Sequence, residues 1–433
     1  MKPPKIHPWT WLPTLYFTEG LPYVILMTVA MVMYKNMGIS NTDIALFTSL
    51  LNFPWLIKPL WSPFVDILKT KRWWILIMQF FIGAGLAGVA FAIPAPFFFQ
   101  ATMAVFTLLA FSSATHDIAI DGFYMLELSP FQQSYFVGIR TTFYRIAMIT
   151  GQGLMVMLAG RLEKVTGSVT FAWTLAFGAA AAIFLLLSLY HSLVLPKQDA
   201  VRTVPQKSFT DVLGEFGATF VTFFQKKGIV AAIVFLLLYR LAEAQLTKIA
   251  VPFMLDTADK GGLGLETEIT GFVYGTVGVV ALVLGGISGG VAISLKGLKQ
   301  WLVPMMLALN LPDIVYVLLA YFQPDNLWLV NAAVAVEQFG YGFGFTAYTL
   351  FMIYIAQGCY KTAHYAICTA FMTAGMMLPG MAAGWLQEMI GYRLFFVWVM
   401  ICTIPAFFVL PYLKIDGSFG MKKNGRTEER VNE

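Results

Sequence analysis

Charge is what this sequence has least of. Of its 433 residues only 12% are Asp, Glu, Lys or Arg, against about 25% in a typical soluble domain. That leaves too little polar surface for a water-soluble monomer, so the bilayer must solvate much of the chain. The net charge of +5 is small and dispersed, which excludes the basic footprint of a nucleic-acid-binding protein. Cysteine is scarce as well. Cys359, Cys368 and Cys402 have no paired spacing, so neither a disulfide framework nor a zinc cluster is expected. There are four histidines, and none has ligand spacing to His116, so no metal or other cofactor is expected. No P-loop or zinc-protease signature occurs, which leaves ATP-driven transport by this chain alone without support. GISGG (286–290) carries the letters of a hydrolase elbow but closes an apolar helix, so it is small-residue packing and no enzyme is expected. The N-terminal MKPPKIHPWTW has prolines and Trp where a signal peptide would be apolar, so the chain is expected to enter the membrane directly.

What the sequence does have is long apolar runs, with 58% apolar residues and a mean hydropathy of +0.73. A membrane-crossing helix needs roughly 20 such residues. Twelve stretches qualify, at about 9–34, 43–65, 73–94, 97–125, 134–160, 169–195, 228–255, 268–294, 301–322, 327–356, 362–388 and 393–413. The predicted organisation is a six-helix bundle over 1–195, a linker over 196–227, a second six-helix bundle over 228–415 and a polar tail over 416–433. In the linker, Phe209, Val212, Leu213, Phe216 and Phe220 make an apolar stripe at helical spacing, which predicts an amphipathic helix on the membrane surface. With the N-terminus inside, 18 Lys and Arg fall on the cytoplasmic side and five outside, so both termini are expected to be cytoplasmic.

The halves repeat. AGRLEKVTGSVTF (159–171) aligns with AGWLQEMIGYRLF (383–395) at an offset of 224. In WSPFVDILKTKRW (61–73), Asp66 is followed by Lys71 and Arg72 where the second helix ends. SLKGLKQW (294–301) occupies the corresponding turn of the second half. An Asp at a helix end with neighbouring cations can latch helices in one state and release them in another.

Charges inside spans are expensive and mark function. Asp117 and Asp121 are four apart and share a helix face. Arg140 and Arg145 return on the next helix, so the acids and arginines are expected to meet, either as a static clamp or as a pair that breaks during transport. Glu19 shares a face with Tyr16 and Tyr23, beside Gly20 and Pro22, and Glu337 shares one with Tyr341, Gly344 and Tyr348. Arg240 and Glu243 are three apart and either neutralise each other or serve the site. Arg145, Arg240 and the four tyrosines are the candidate substrate contacts. The arginine fork suits a carboxylate and the tyrosines suit sugar rings, although each Tyr is also explained by helix packing. Glu19 first and Glu337 second are the expected proton carriers, because neither has a cation within a turn of its own helix. Asp117, Asp121 and Glu243 have expected arginine partners. Lys58 is expected to snorkel to the interface, and His116 to be structural or interfacial. The Gly271/Gly275, Gly340/Gly344 and Gly380/Gly384 pairs are expected at close helix contacts.

ATHDIAIDGF (114–123), LLLYRLAEAQLTKIAVPFML (236–255), GLGLETEITGFVYGTVG (262–278), AVEQFGYGFG (335–344) and TAHYAICTAF (362–371) resemble the AmpG-type muropeptide permeases of the major facilitator superfamily, and more distantly the acetyl-CoA transporters. The resemblance runs over nearly the whole chain. It implies an all-α membrane protein with the major facilitator fold, twelve transmembrane helices in two pseudo-symmetric bundles. It also implies a monomer in the bacterial inner membrane that takes up anhydromuropeptides or their GlcNAc-anhydroMurNAc core, with protons. Many members have two further C-terminal spans, whereas here a polar tail follows the twelfth. The rival expectations are transport of another anionic metabolite (a nucleotide thioester, sugar acid or peptide) and a membrane sensor or scaffold.

Overall fold

In lipid, an apolar run can satisfy its backbone only from within, so the chain is helical almost throughout. The computed structural model describes residues 7–67, 69–128, 130–197, 209–358, 361–417 and 419–420; for some helical residues, Asp66 among them, it describes the backbone alone. Among the described residues there is no strand.

Among the described residues, ten helical runs are long and apolar enough to cross a membrane. Two features raise the number of passes to twelve. The run His364–Tyr412 spans 49 residues and turns at Gly391, whose φ of 76° and ψ of 165° lie outside any helix. Its two arms flank the same stretch of another helix: a Cβ on Gly380 would meet Lys248 Cγ at 3.4 Å, and Trp398 Nε1 donates to Gln245 Oε1 at 2.8 Å. The arms therefore run side by side as separate passes. Residues 41–67 form a further pass in two pieces, Asn41–Leu50 and Phe53–Ile67, each too short to be counted alone.

The passes, spans 1 to 12, are Pro8–Asn36, 41–67, Lys71–Ala92, Phe98–Glu127, 130–166, Val169–Val194, Ile229–Leu255, Thr267–Lys296, Leu298–Phe322, Leu327–Ala356, 361–390 and 392–412. Span 5 is longer than its apolar core suggests, because a π-helical segment at Ile149–Met155 carries the helix through Gly151 and Gly153. The linker contains a helix at Phe209–Phe224. Most of its expected apolar stripe (Phe209, Val212, Leu213 and Phe216) has side chains outside the described residues. Its firmest described anchor is Phe223, which continues that stripe three residues beyond Phe220 and is fully buried against Phe371 and His364 of span 11.

Each bundle has two apolar cores with a polar belt between them. In the first bundle, one core gathers Leu21, Val29, Phe106 and Trp173, and the other Trp11, Leu15, Phe123 and Phe136. Between them lie buried Thr18, Glu19, Gln79, Ser113, His116 and His191. Thr14 Oγ1, His191 and Gln79 bond in series at 2.9 and 3.0 Å, and Gln79 donates to Thr18 at 3.1 Å. In the second bundle, cores around Phe235 and Phe351 and around Phe253 and Phe396 are separated by buried Arg240, Glu243, Asn310, Asp313, Glu337 and Gln338. The belts place charge at mid-span, where a substrate path between bundles would run.

The two bundles are locked together at the end of the molecule far from the chain termini. Lys35 of span 1 lies 2.6 Å from Asp256 at the end of span 7 and donates to Asn41 Oδ1 at 2.8 Å. Asn41 donates to Gln387 and Tyr392, at 2.6 and 2.9 Å. Asn36 donates to Thr267, and Lys164 pairs with Glu266 and Glu268. Glycine allows this closure: a Cβ on Gly384 would lie 1.9 Å from Asn41 O, and one on Gly275 would lie 2.1 Å from Gln152 O. The other glycines of the three expected pairs also lie at helix contacts.

Candidate functional site

The belt of the first bundle opens into a charged cluster built from spans 1, 2, 4 and 5. Lys58 Nζ reaches Asp117 Oδ2 at 3.1 Å, and Trp55 Nε1 donates to the same oxygen at 3.3 Å. This corrects two expectations. Lys58 turns inward rather than snorkelling, and Asp117 takes a lysine from span 2 rather than an arginine from span 5. The reason is that broken span 2 turns Lys58 towards span 4, which sequence adjacency does not reveal. Arg140 lies 3.2 Å from Asp121 Oδ1; the side chains are 30% and 42% exposed, while that oxygen itself is buried. The Arg140 guanidinium also sits over the rings of Tyr16 (4.7 Å) and Tyr124 (5.3 Å). Arg145 makes no ion pair among the described residues; its Nη1 contacts Met148 Sδ at 3.3 Å.

Glu19 sits within electrostatic reach of Asp117, Asp121, Arg140 and Lys58. Both cations are engaged by the aspartates. Glu19 is left buried with Oε2 unbonded. The cluster is three acids and two bases, and Glu19 is the odd charge. Tyr16 is buried with its hydroxyl unbonded, under Arg140 and edge-on to Tyr124, so in this conformation it packs within the bundle. His116 is fully buried with both ring nitrogens unbonded, which makes it a core residue and excludes an interfacial position.

In the second bundle, span 7 breaks at Tyr239 and Arg240, where Arg240 adopts φ −111° and ψ 20°. Arg240 therefore turns away from its own helix. It donates to Tyr341 Oη at 2.6 Å and lies against the Tyr341 and Phe345 rings at 5.2 and 5.0 Å. It makes no direct ion pair with Glu243, although the two stay within electrostatic reach, and both Glu243 oxygens are unbonded. The expected i, i+3 pair is thus absent, because the helix break removes the geometry that the spacing assumes. Tyr348 is fully buried in this conformation, stacks on Tyr239 at 4.7 Å and donates to Leu236 O at 2.7 Å.

Within the first bundle Tyr23 stacks edge-on against Trp55, and it lies in the electrostatic field of both Asp117 and, across the bundle interface, Arg240. Tyr341 feels Arg240, Tyr23 and Arg145. Tyr23, Arg145, Arg240 and Tyr341 thus form one zone drawn from both bundles, chemically suited to an anionic, ring-bearing solute.

Asp313 was missed from the sequence, because LNLPD reads as a span interior broken by Pro312. It ends a one-turn 3₁₀ segment, Leu311–Asp313, in span 9. Glu243, Asp313 and Glu337 each place an oxygen within 4.8 Å of the others, and all three are buried. Glu337 accepts from Gln338 Nε2 at 3.2 and 3.1 Å and from Tyr316 Oη at 3.4 Å. All four oxygens of Glu243 and Asp313 lack a partner. Like charges at that separation repel by about 3–4 kcal/mol at an effective dielectric constant of ~20. Three full charges without a bonded cation would therefore force the site apart. Glu243 also stands 224 residues after Glu19, the offset that relates the repeats.

Of the expected gate, Asp66 lies in a helix but its side chain is outside the described residues. Lys71 is buried, donates to Val65 O at 3.3 Å and packs on Gly122 beside Asp121. Arg72 donates to the carbonyls of Ser192 and Leu195 at 2.6 and 3.2 Å, capping the end of span 6. These contacts all lie within the first bundle.

The model of the Major Facilitator Superfamily matches residues 14–364. A putative transporter AmpG 4 of Rickettsia conorii is 26% identical over 414 residues, covering 92% of this chain and 94% of the relative. The anhydromuropeptide permease of Escherichia coli K12 is 24% identical over 409 residues, covering 92% and 77%. Among solved structures, the nucleoside transporter NupG superposes with a TM-score of 0.70 at 16% identity, covering 94% and 99%. A D-xylose-proton symporter superposes with 0.68 at 12% identity, covering 96% and 99%.

Proposed function

The chain belongs to the Major Facilitator Superfamily, so it is a multi-pass membrane transporter rather than an enzyme, and we propose that it is a proton-coupled importer of anhydromuropeptides or of GlcNAc-anhydroMurNAc. The substrate class follows the name of the E. coli relative. The observation that carries it is Arg240, freed by the break in span 7 and held on Tyr341 opposite Tyr23 of the other bundle. A guanidinium backed by aromatic rings suits a carboxylate attached to a sugar.

Alternating access follows from the distribution of locks. With both termini cytoplasmic in a bacterial inner membrane, the end closed by Lys35, Asn41 and Asp256 faces outward. The conformation described is then inward-facing, the state that releases an imported solute. Glu19, the acid left without a bonded cation, is the leading proton carrier in the first bundle. The monomer is part of the same proposal, because the residues of the proposed site all come from the two bundles of one chain.

Uptake of labelled anhydromuropeptide into proteoliposomes, with and without an imposed pH gradient, tests this. Accumulation that requires the gradient supports it. Gradient-driven uptake of a different anion alone makes the protein a transporter of that metabolite. Uptake of none of the solutes offered, with specific binding retained, would favour a sensor.

A further inference from the structure

We infer that Glu243, Asp313 and Glu337 form a single proton-holding unit in the second bundle, with Asp313 as an essential member. This rests on the proposed proton coupling and deepens it. Two observations carry it. One oxygen from each acid lies within 4.8 Å of the others, from three different spans. Independently, Glu243 and Asp313, 0% and 1% exposed, present four oxygens to the cluster with no donor. Buried acceptors without donors are rare, and each calls for a proton, an ion or a water. Protons shared among the carboxyls supply both the missing donors and the missing positive charge.

The groups around the unit leave that role unfilled. Arg240, on the same helix as Glu243, is committed to Tyr341. Lys248 of span 7 donates to Thr48 of span 2 at 3.1 Å. From span 8, Tyr274 lies in the field of Glu337 and Glu243; from span 9, Tyr316 donates to Glu337. On spans 11 and 12, Glu388 accepts from Thr42, and Arg393 donates to Ala320 O, both near the locked end. For a divalent metal the three carboxylates would supply six oxygens only if all bound bidentately, and Glu337 already accepts from Gln338 and Tyr316, so water would have to complete the six or more oxygens that hard cations take.

The unit also changes what coupling requires. Glu243 is held by Arg240 only through the field and not by a bond, and Glu337 ceases to be a lone carrier. A proton entering the cluster neutralises charge on spans 7, 9 and 10 at once. Opening the triad separates these spans, so protonation and helix position are linked.

Infrared difference spectroscopy of the full chain in lipid, between neutral and strongly alkaline pH, reads this without substrate. The wild type is expected to show loss of a protonated-carboxyl C=O band as pH rises. E243Q/D313N/E337Q should lose that band, and D313N alone should shift and diminish it. If the triple variant fails to purify folded by size exclusion, the D313N and E337Q single variants decide: an unchanged band in both overturns the unit. An unchanged band in a folded triple variant also overturns it, as does a band that responds to Na⁺ or Ca²⁺ at fixed pH, which would mark a metal site. Failure of anhydromuropeptide uptake with the band present and triad-dependent would overturn the transport proposal and leave the unit standing. Gradient-driven uptake retained by the triple variant would do the reverse.

Discussion

Lys35 Nζ lies 2.6 Å from Asp256 Oδ2, with both side chains nearly buried, and this pair ties span 1 of the first bundle to span 7 of the second. Asp256 also accepts from the Tyr392 hydroxyl, so spans 1, 7 and 12 meet at one carboxylate, and Asn41 of span 2 bonds to both of its partners, Lys35 and Tyr392. A charge pair with this little exposure is strong while intact and costly to halve. Asp256→Asn is expected to shift the bundles towards opening at this end by about tenfold, ~1.4 kcal/mol. Spin labels at Gly167 and Ala258 should report a larger population of long distances. The charge-swapped pair K35D/D256K should recover much of the closed population, and no recovery would mean that the pair is not the lock.

Gly384→Ala tests the same closure by volume. The new methyl would lie 1.9 Å from Asn41 O, so the closed end cannot form without movement. Overpacking of this kind costs about 1–3 kcal/mol. Because the clash exists only while spans 2 and 11 touch, the variant should populate the opened end and not simply unfold. A drop in thermal stability with unchanged spin-label distances would contradict this.

Asp121→Asn should impair transport far more than folding. Its partner Arg140 is partly exposed, and exposed pairs contribute about 0–1 kcal/mol. The melting temperature should therefore move by only a few degrees while uptake falls. Wild-type uptake by the folded variant would remove Asp121 from any coupling role.

Glu19→Gln keeps hydrogen bonding and cannot carry charge. Gradient-driven accumulation should be lost, and exchange of labelled for unlabelled substrate across the membrane should persist. If both Glu19→Gln and Glu337→Gln still accumulate substrate against its gradient in response to a pH difference, neither is the carrier.

Arg240→Lys should weaken substrate binding by roughly tenfold or more, since an ammonium cannot reproduce the fork or the stacking on Tyr341 and Phe345. Tyr341→Phe removes only the 2.6 Å bond and should cost less. Isothermal titration with anhydromuropeptide separates the two.

The sequence by itself determined the class of fold. Apolar runs of spanning length force helices, because lipid offers the backbone no other partner, and two sets of six repeat at an offset of 224. It also supplied most of the charged residues of the site, because a charge in an apolar run stands out against its neighbours. What it could not supply was partnership. Lys58 with Asp117 joins residues 59 apart, and the Glu243, Asp313 and Glu337 cluster joins three spans. Arg240 turned from Glu243 to Tyr341 only because span 7 breaks at Tyr239, and an i, i+3 rule assumes an unbroken helix. Tyr16 and Tyr348 carry the same chemistry as Tyr23 and Tyr341 but are packed inside their bundles. Which side of a helix meets lipid, core or path is decided by neighbours distant in sequence, so tertiary packing alone sorted structural aromatics from those at the bundle interface.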